Sequence, residues 1–288
     1  MILGISGQAL ASTRSLAEVL ALLRELDVRW IELWPANLES GVDPGRRYEG
    51  KDVARAEEVL NEYGIGVACV TMPAAFSREA AQDREGYLTA LKTAVDVAER
   101  LGAHIVNSYC FHWALSHDAD VGPIVKMLRS AAAYAGDKGV TLVLENEAHD
   151  ASGTVAGMLR ILEAAGSEAL KTNFDATNYY QAGEEGFPYA YNKLKDHIAY
   201  VHLKNGCAHD PAIHGEVGRG GTMPRLGEDR YIHYCPIPEG AVNIEGLLAK
   251  LHQDRFDGFC TIEPHVPPDS VEQYYRAEVP YLRRHAVH

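Results

Sequence analysis

Residues 140–175 read VTLVLENEAHDASGTVAGMLRILEAAGSEALKTNFD. The stretch opens on a short apolar run, Thr141–Glu145, passes through an amphipathic segment that Gly166 closes, and ends on a second run, Lys171–Asp175. Strand, helix, strand is the unit from which parallel sheets are built. Both runs end on a carboxylate.

The same unit repeats outward in both directions. Toward the N-terminus lie Ile2–Ser6, Arg29–Trp34, Gly66–Thr71 and His104–Tyr109; toward the C-terminus lie Ala199–Lys204 and Gly258–Glu263. Each is followed by an amphipathic stretch, the clearest carrying Tyr87, Leu88, Leu91, Ala94, Val95, Ala98 and Leu101 at helical spacing. Pro123 marks a helix start, Asn243 is placed to cap the helix bearing Leu247, Leu248 and Leu251, and Pro280 is expected to break or kink the last helix. Eight strands, each followed by a helix and with no run of hairpins, predict an α/β fold, a single-domain (β/α)8 TIM barrel over residues 1–288. An open dinucleotide-binding sheet would carry a Gly-rich first turn; after the first strand stands Ser6-Gly7-Gln8 instead. The one irregular stretch is the long loop 205–241 after strand seven, rich in Gly, Pro, Arg and His, and a loop of that length usually serves function or contact.

Composition narrows the function. A formal net charge of −13 disfavours any polyanion, so no nucleic acid is expected as a partner. The five cysteines are scattered, with no C-x-x-C pair, which argues against a disulfide framework or a thiolate zinc site. No apolar run reaches a membrane span, and the N-terminus carries no basic leader. A cytoplasmic protein that binds neither membrane nor nucleic acid is the expectation.

A (β/α)8 barrel keeps its active site at the C-terminal ends of its strands. There, Glu145 ends strand five, Asp175 ends strand six, His202 lies on strand seven and Glu263 ends strand eight. Taken alone, Glu145 or Asp175 is more often a helix N-cap or a salt-bridge partner, and a strand histidine is more often a core residue. Together they place four metal-capable side chains on one rim, where three converging carboxylates would repel one another without a cation between them. One imidazole and three carboxylates suit Mn, Zn, Co, Fe(II) or Mg, the carboxylate content leaning toward Mn or Mg. Lys204, two positions after His202, points the same way; it reads as an oxyanion or phosphate ligand or as a solvated lysine. Glu147 and His149 line the pocket or cap the next helix. Trp34, Tyr109, His112 and Trp113 sit where aromatics pack on a sugar ring, or else form rim packing. Arg225, His233 and Tyr234 in the long loop close over substrate or belong to a subunit contact.

The segments VLENEAHDASGT, TNFDATNYYQAG, YVHLKN, PIPEG and GFCTIEPH resemble the xylose isomerase-like barrel superfamily in its sugar phosphate isomerase/epimerase branch, most strongly from Val140 to His265. The resemblance implies that Glu145, Asp175, His202 and Glu263 bind one divalent metal, Mn2+ foremost, with Zn2+, Co2+ or Mg2+ as alternatives. It implies that Glu145 and Glu263 serve also as the acid/base pair of an enediolate mechanism on a small sugar, keto-inositol or keto-glycoside, and that the protein is a homo-oligomer. A metal-dependent lyase or dehydratase using the same enolate, and a non-catalytic sugar-binding barrel, are the alternatives. Some positions depart from the family. Asn178 stands where many members carry a His, and it is assigned with Lys204, Glu147, Trp34, His112, Trp113 and Arg225 to substrate binding. Met72-Pro73 after strand three, with no Asp-x-His between His202 and Glu263, argues against the three-metal endonuclease IV type. Glu147 replaces the His on which the barrel dehydroshikimate dehydratases rely.

Overall fold

In the computed structural model, which describes residues 1–38, 48, 50–73, 83–110, 116–216, 222–224 and 231–288, every one of the eight expected runs is a strand. In chain order the strands are β1 (Ile2–Ser6), β2 (Trp30–Leu33), β3 (Gly66–Thr71), β4 (Ile105–Ser108), β5 (Thr141–Glu145), β6 (Leu170–Asp175) and β7 (Ile198–Leu203). Then come β8 (Asn205–Ala208), β9 (Thr222–Pro224), β10 (Tyr231–Cys235) and β11 (Phe259–Ile262). β1 to β7 and β11 pair in parallel and close into a barrel in the order β1-β11-β7-β6-β5-β4-β3-β2. The expected strand ends shift by a residue or so. Trp34, for instance, has left β2 and donates its backbone N–H to Asn37 Oδ1 at 2.9 Å.

The helices are α1 (Leu16–Glu25), α2 (Gly50–Tyr63), α3 (Arg84–Leu101), α4 (Gly122–Asp137), α5 (Val155–Ala165), α6 (Ala176–Ala182), α7 (Tyr191–Leu194), α8 (Pro211–His214), α9 (Ile244–Gln253) and α10 (Val271–Arg284). Their ends follow local chemistry. Thr154 caps α5 by accepting from the Gly157 amide, and the chain leaves α5 through Gly166 at φ 58°, a left-handed conformation that glycine adopts without Cβ strain. Pro123 lies in the first turn of α4, and Asn243 caps α9. Pro280, expected to break or kink the last helix, does not end it: α10 continues to Arg284. One ladder bond is lost, but Tyr275, Val279 and Leu282 on its inner face are fully buried, so tertiary packing outweighs the break.

The described residues of the stretch 205–241 include regular structure that its composition does not suggest. β8, β10 and β9 form a separate antiparallel sheet in that order. Buried Asn205 ties its two ends together. Its Nδ2 donates to the Ile237 and Val242 carbonyls at 2.8 and 2.9 Å, and its Oδ1 accepts from the Val242 amide at 3.1 Å. A Cβ on Gly240 would lie 2.0 Å from Asn205 Cγ, so only glycine allows that approach. The excursion therefore leaves and rejoins the barrel at one point.

Glu278 of α10 binds this junction from the other side, its Oε1 accepting from the Ile237 amide at 3.0 Å while Oε2 has no partner. Burial pushes its carboxyl up to about 7, the Ile237 amide acting against the shift and Glu239 adding to it. A carboxyl raised in the folded state contributes its full stability when protonated at low pH and loses it as pH rises through 7. Glu278→Gln retains the acceptor without the charge. It is expected to raise stability by about 1–3 kcal/mol at pH 8 and to change it little at pH 5, as measured by thermal melts. A difference that stays constant between the two pH values would exclude this account.

Candidate metal centre

The barrel register brings the rim residues together. Asp175 pairs with His202 on one side, and Thr261 pairs with His202 on the other. Two positions beyond Thr261, on the same face, stands Glu263, whose amide donates to the Leu203 carbonyl at 3.1 Å. Glu145 closes β5 next to β6. Each of Glu145, Asp175, His202 and Glu263 offers a ligand atom within 4.8 Å of the others, and all four are buried. Two positions before His202 on β7 stands Tyr200, which with Ala68, Cys69, Ile105 and Val143 forms a small buried cluster.

His202 is held from both edges. Its Nδ1 lies 3.0 Å from Glu145 Oε1 and 3.4 Å from Glu263 Oε2, while Nε2 lies 2.8 Å from Glu32 Oε2. Glu32, on β2 and fully buried, is in turn bonded by the Thr71 hydroxyl at 2.5 Å. Sequence reading passed over Glu32, although a carboxylate inside the apolar run Trp30-Ile31-Glu32-Leu33 was a visible signal, since charges are rarely buried without a partner. Burial alone would lower the His202 pKa, but Glu145, Glu32 and Glu263 outweigh it and hold the ring well above its ordinary value.

The carboxylates are oriented by their neighbours. Glu145 Oε2 accepts from Asn107 Nδ2 at 2.8 Å and Asn173 Nδ2 at 3.2 Å. Asp175 is a helix cap and a site residue at once. Its Oδ1 accepts from the Thr177 and Asn178 amides at the start of α6, at 2.8 and 2.9 Å, and its Oδ2 faces the centre. Lys204 Nζ lies 2.8 Å from that Oδ2 as its ion-pair partner. The same Nζ donates to Glu263 Oε2 at 2.6 Å. Burial raises the Asp175 pKa despite Lys204, whereas for Glu263 the charges of Lys204 and His202 outweigh burial and hold it well below the carboxylate range.

Of the other assigned residues, Glu147 is raised well above the carboxylate range by burial and by Glu145, and Asn178 donates its Nδ2 to the Asn146 carbonyl at 2.8 Å. Trp34 is buried, with Nε1 donating to Ser6 Oγ at 3.1 Å and its ring 6.1 Å from that of Tyr109. Tyr234 of β10 stacks on His265 at 4.7 Å, and His265 Nε2 lies 3.2 Å from Lys204 Nζ and 3.3 Å from Glu263 Oε2. The excursion thus reaches the barrel mouth through Tyr234. His112, Trp113 and Arg225 lie outside the described residues.

A divalent cation fits this donor set. Glu145, Asp175, His202 and Glu263 converge on one buried point, and Glu32 is placed to accept a hydrogen bond from His202 Nε2–H, the arrangement by which a neutral ring presents its other nitrogen to an ion.

Comparison with known proteins yields a fold and a family model. The model described as the xylose isomerase-like TIM barrel matches residues 20–285. No curated protein is significantly similar in sequence. Among solved structures, the probable 3-DHS dehydratase involved in petrobactin synthesis from Bacillus anthracis superposes with a TM-score of 0.75 at 15% identity, over 98% of this chain and 99% of that one. D-allulose 3-epimerase from Methylomonas sp., in complex with D-allulose, gives 0.71 at 18% identity, over 99% and 97%. A xylose isomerase-like TIM barrel protein from Mycobacterium smegmatis, in complex with magnesium, gives 0.69 at 16% identity, over 99% and 97%. Identities this low speak for the shared fold.

Proposed function

The chain belongs to the xylose isomerase-like TIM barrel family, and from that premise we propose that it is a divalent-metal-dependent isomerase or epimerase of a small sugar, keto-inositol or keto-glycoside. The observation that carries the reading is the convergence of Glu145, Asp175, His202 and Glu263 on one buried point at the barrel rim. These four would hold the cation, and their carboxylate-rich character favours Mn2+ or Mg2+. A cation bound there supplies Lewis acidity, stabilising negative charge on the oxygens of an α-hydroxy carbonyl substrate as its carbon is deprotonated.

The remaining chemistry belongs to the side chains. Glu263 Oε and Glu145 Oε are the two carboxylates able to accept a proton from carbon and to return it, to the opposite face in epimerisation or to the neighbouring carbon in isomerisation. Lys204 Nζ, beside Glu263, places a positive charge where an oxyanion develops. Asn107 and Asn173 fix the Glu145 carboxylate, so its proton transfer needs no reorientation. All of these charged side chains are buried, which strengthens the interactions between them. Support from relatives is of the same kind: the similar Methylomonas structure holds D-allulose and the Mycobacterium smegmatis one holds magnesium.

The test is solvent deuterium wash-in by the Mn2+-loaded protein on a panel of ketoses, keto-inositols and 3-keto-glycosides. Exchange at carbon with conversion to an epimer or ketose–aldose partner supports the proposal. Exchange that ends in loss of water or another group identifies a lyase, and tight sugar binding with no exchange on any member identifies a binding protein. A companion expectation concerns Glu32. Glu32→Gln should weaken Mn2+ binding by about 10–100-fold, as read by metal titration, because Gln accepts the His202 proton more weakly. Unchanged affinity would remove Glu32 from the site.

A further inference from the structure

We propose that His209, His214 and His233 form a second metal site, selective for zinc-class transition ions, on the outer face of the small sheet that overhangs the barrel mouth. Strand pairing assembles it. In β10 the burial alternates, with Ile232 and Tyr234 buried and Tyr231, His233 and Cys235 less so. Tyr234 therefore points to the barrel mouth and His233 away from it. His233 pairs directly with Cys207 of β8. His209, two positions on from Cys207, falls on the same face, and its amide donates to the Tyr231 carbonyl at 2.7 Å. The short helix α8 then folds His214 back onto that face, where its ring stacks on His233 with centroids 4.0 Å apart.

The three rings each offer a nitrogen within 4.8 Å of the others, and two of those rings hold a nitrogen that lacks any partner. His209 donates Nε2–H to the Gly215 carbonyl at 2.9 Å, which leaves Nδ1 as the lone pair, buried and unpartnered. A ring donating one nitrogen to a carbonyl and aiming the other at a common point is how metal-binding histidines are held. His233 Nδ1 is likewise buried without a partner. Burial and the adjacent His214 and His209 lower the His233 pKa. His214 Nδ1 accepts from the amide of exposed Asp210 at 2.9 Å, a contact that water can replace when the ring turns to bind. Zinc bonds of about 2.0–2.1 Å require the nitrogens to close up by about an ångström, which half-exposed rings can do.

Three imidazoles without a carboxylate select Zn2+, Co2+, Ni2+ or Cu2+ over Mg2+, Ca2+ or Mn2+, the reverse of the barrel centre. His214 and His233 also line a cleft of about 570 Å3 shared with Cys207, Cys235 and Glu278, so a fourth coordination position opens to solvent or ligand. Because β10 carries Tyr234 on its other face, an ion there pins β8, α8 and β10 together over the barrel mouth.

Calorimetric titration of the chelator-treated full chain separates the two centres. With Zn2+, the expected result is two equivalents for wild type, one for His209→Gln and for His233→Gln, one for Asp175→Asn, and none for Asp175→Asn combined with His209→Gln. With Mg2+, both His variants should bind as wild type does, which also shows that their barrels are folded. Zinc binding that His209→Gln and His233→Gln leave unchanged, or weaken by less than about tenfold, would overturn the proposal. So would an Asp175→Asn protein that takes no zinc. If the barrel centre itself binds no metal, wild type takes a single zinc that His209→Gln removes and Asp175→Asn does not, so the two readings fail separately.

Discussion

Glu263→Gln, assayed at saturating metal, is expected to reduce deuterium exchange at the substrate carbon by about 10²–10⁴-fold. The substitution keeps the size of the side chain and the acceptor for Lys204 Nζ, now 2.6 Å away. It removes the ability of Oε2 to take a proton. Metal affinity should fall as well, because Glu263 is one of the four converging donors, and the titration curve for Mn2+ separates the two effects. A variant that binds metal weakly but, once loaded, exchanges deuterium at the wild-type rate would make Glu263 a ligand alone. Glu145→Gln is the matching control: loss of exchange at one of two stereochemical positions, with retention at the other, would assign each carboxylate to its face of the carbon.

Lys204→Met is expected to destabilise the metal-free protein by about 3–5 kcal/mol, and Mn2+ is expected to restore most of that loss. Lys204 is buried and contacts Asp175 and Glu263 at 2.8 and 2.6 Å. Glu145 lies on the same rim, and Glu147 follows it. Removing the cation leaves Asp175 and Glu263 without their ion-pair partner, in a site where burial already raises the Asp175 pKa. A divalent ion replaces the lost charge and stabilises only the folded chain. Thermal melts with chelator and with Mn2+ read both halves. A melt unchanged by the substitution in chelator would mean that the two ion pairs contribute nothing.

The barrel was legible because each of its signals is local. Runs such as Leu142-Val143-Leu144 and Tyr200-Val201-His202-Leu203 announce buried parallel strands, and Gly166, Thr154 and Asn243 punctuate the helices between them. Carboxylates at the ends of β5, β6 and β11 were also readable, since strand ends of a barrel share one rim. Local signals failed where distant packing decides. Pro280 reads as a breaker, yet the buried face of α10 carries the helix past it. The stretch 205–241 reads as a loop because it is rich in Gly, Pro, Arg and His and its strands β8, β9 and β10 have only 4, 3 and 5 residues. Only their mutual pairing makes them a sheet.

What the sequence by itself determined is the order of elements, the closed α/β architecture and the place of Glu145, Asp175, His202 and Glu263 at the strand ends, because periodicity and strand position are properties of short segments. What only the tertiary structure decided is which groups meet. Glu32 and His202 stand 170 positions apart and are 2.8 Å apart in space, and Lys204 reaches two carboxylates on two different strands. His209 and His233 meet only through the pairing of β8 with β10. Those contacts depend on strand register and barrel closure, which arise from the packing of the whole chain.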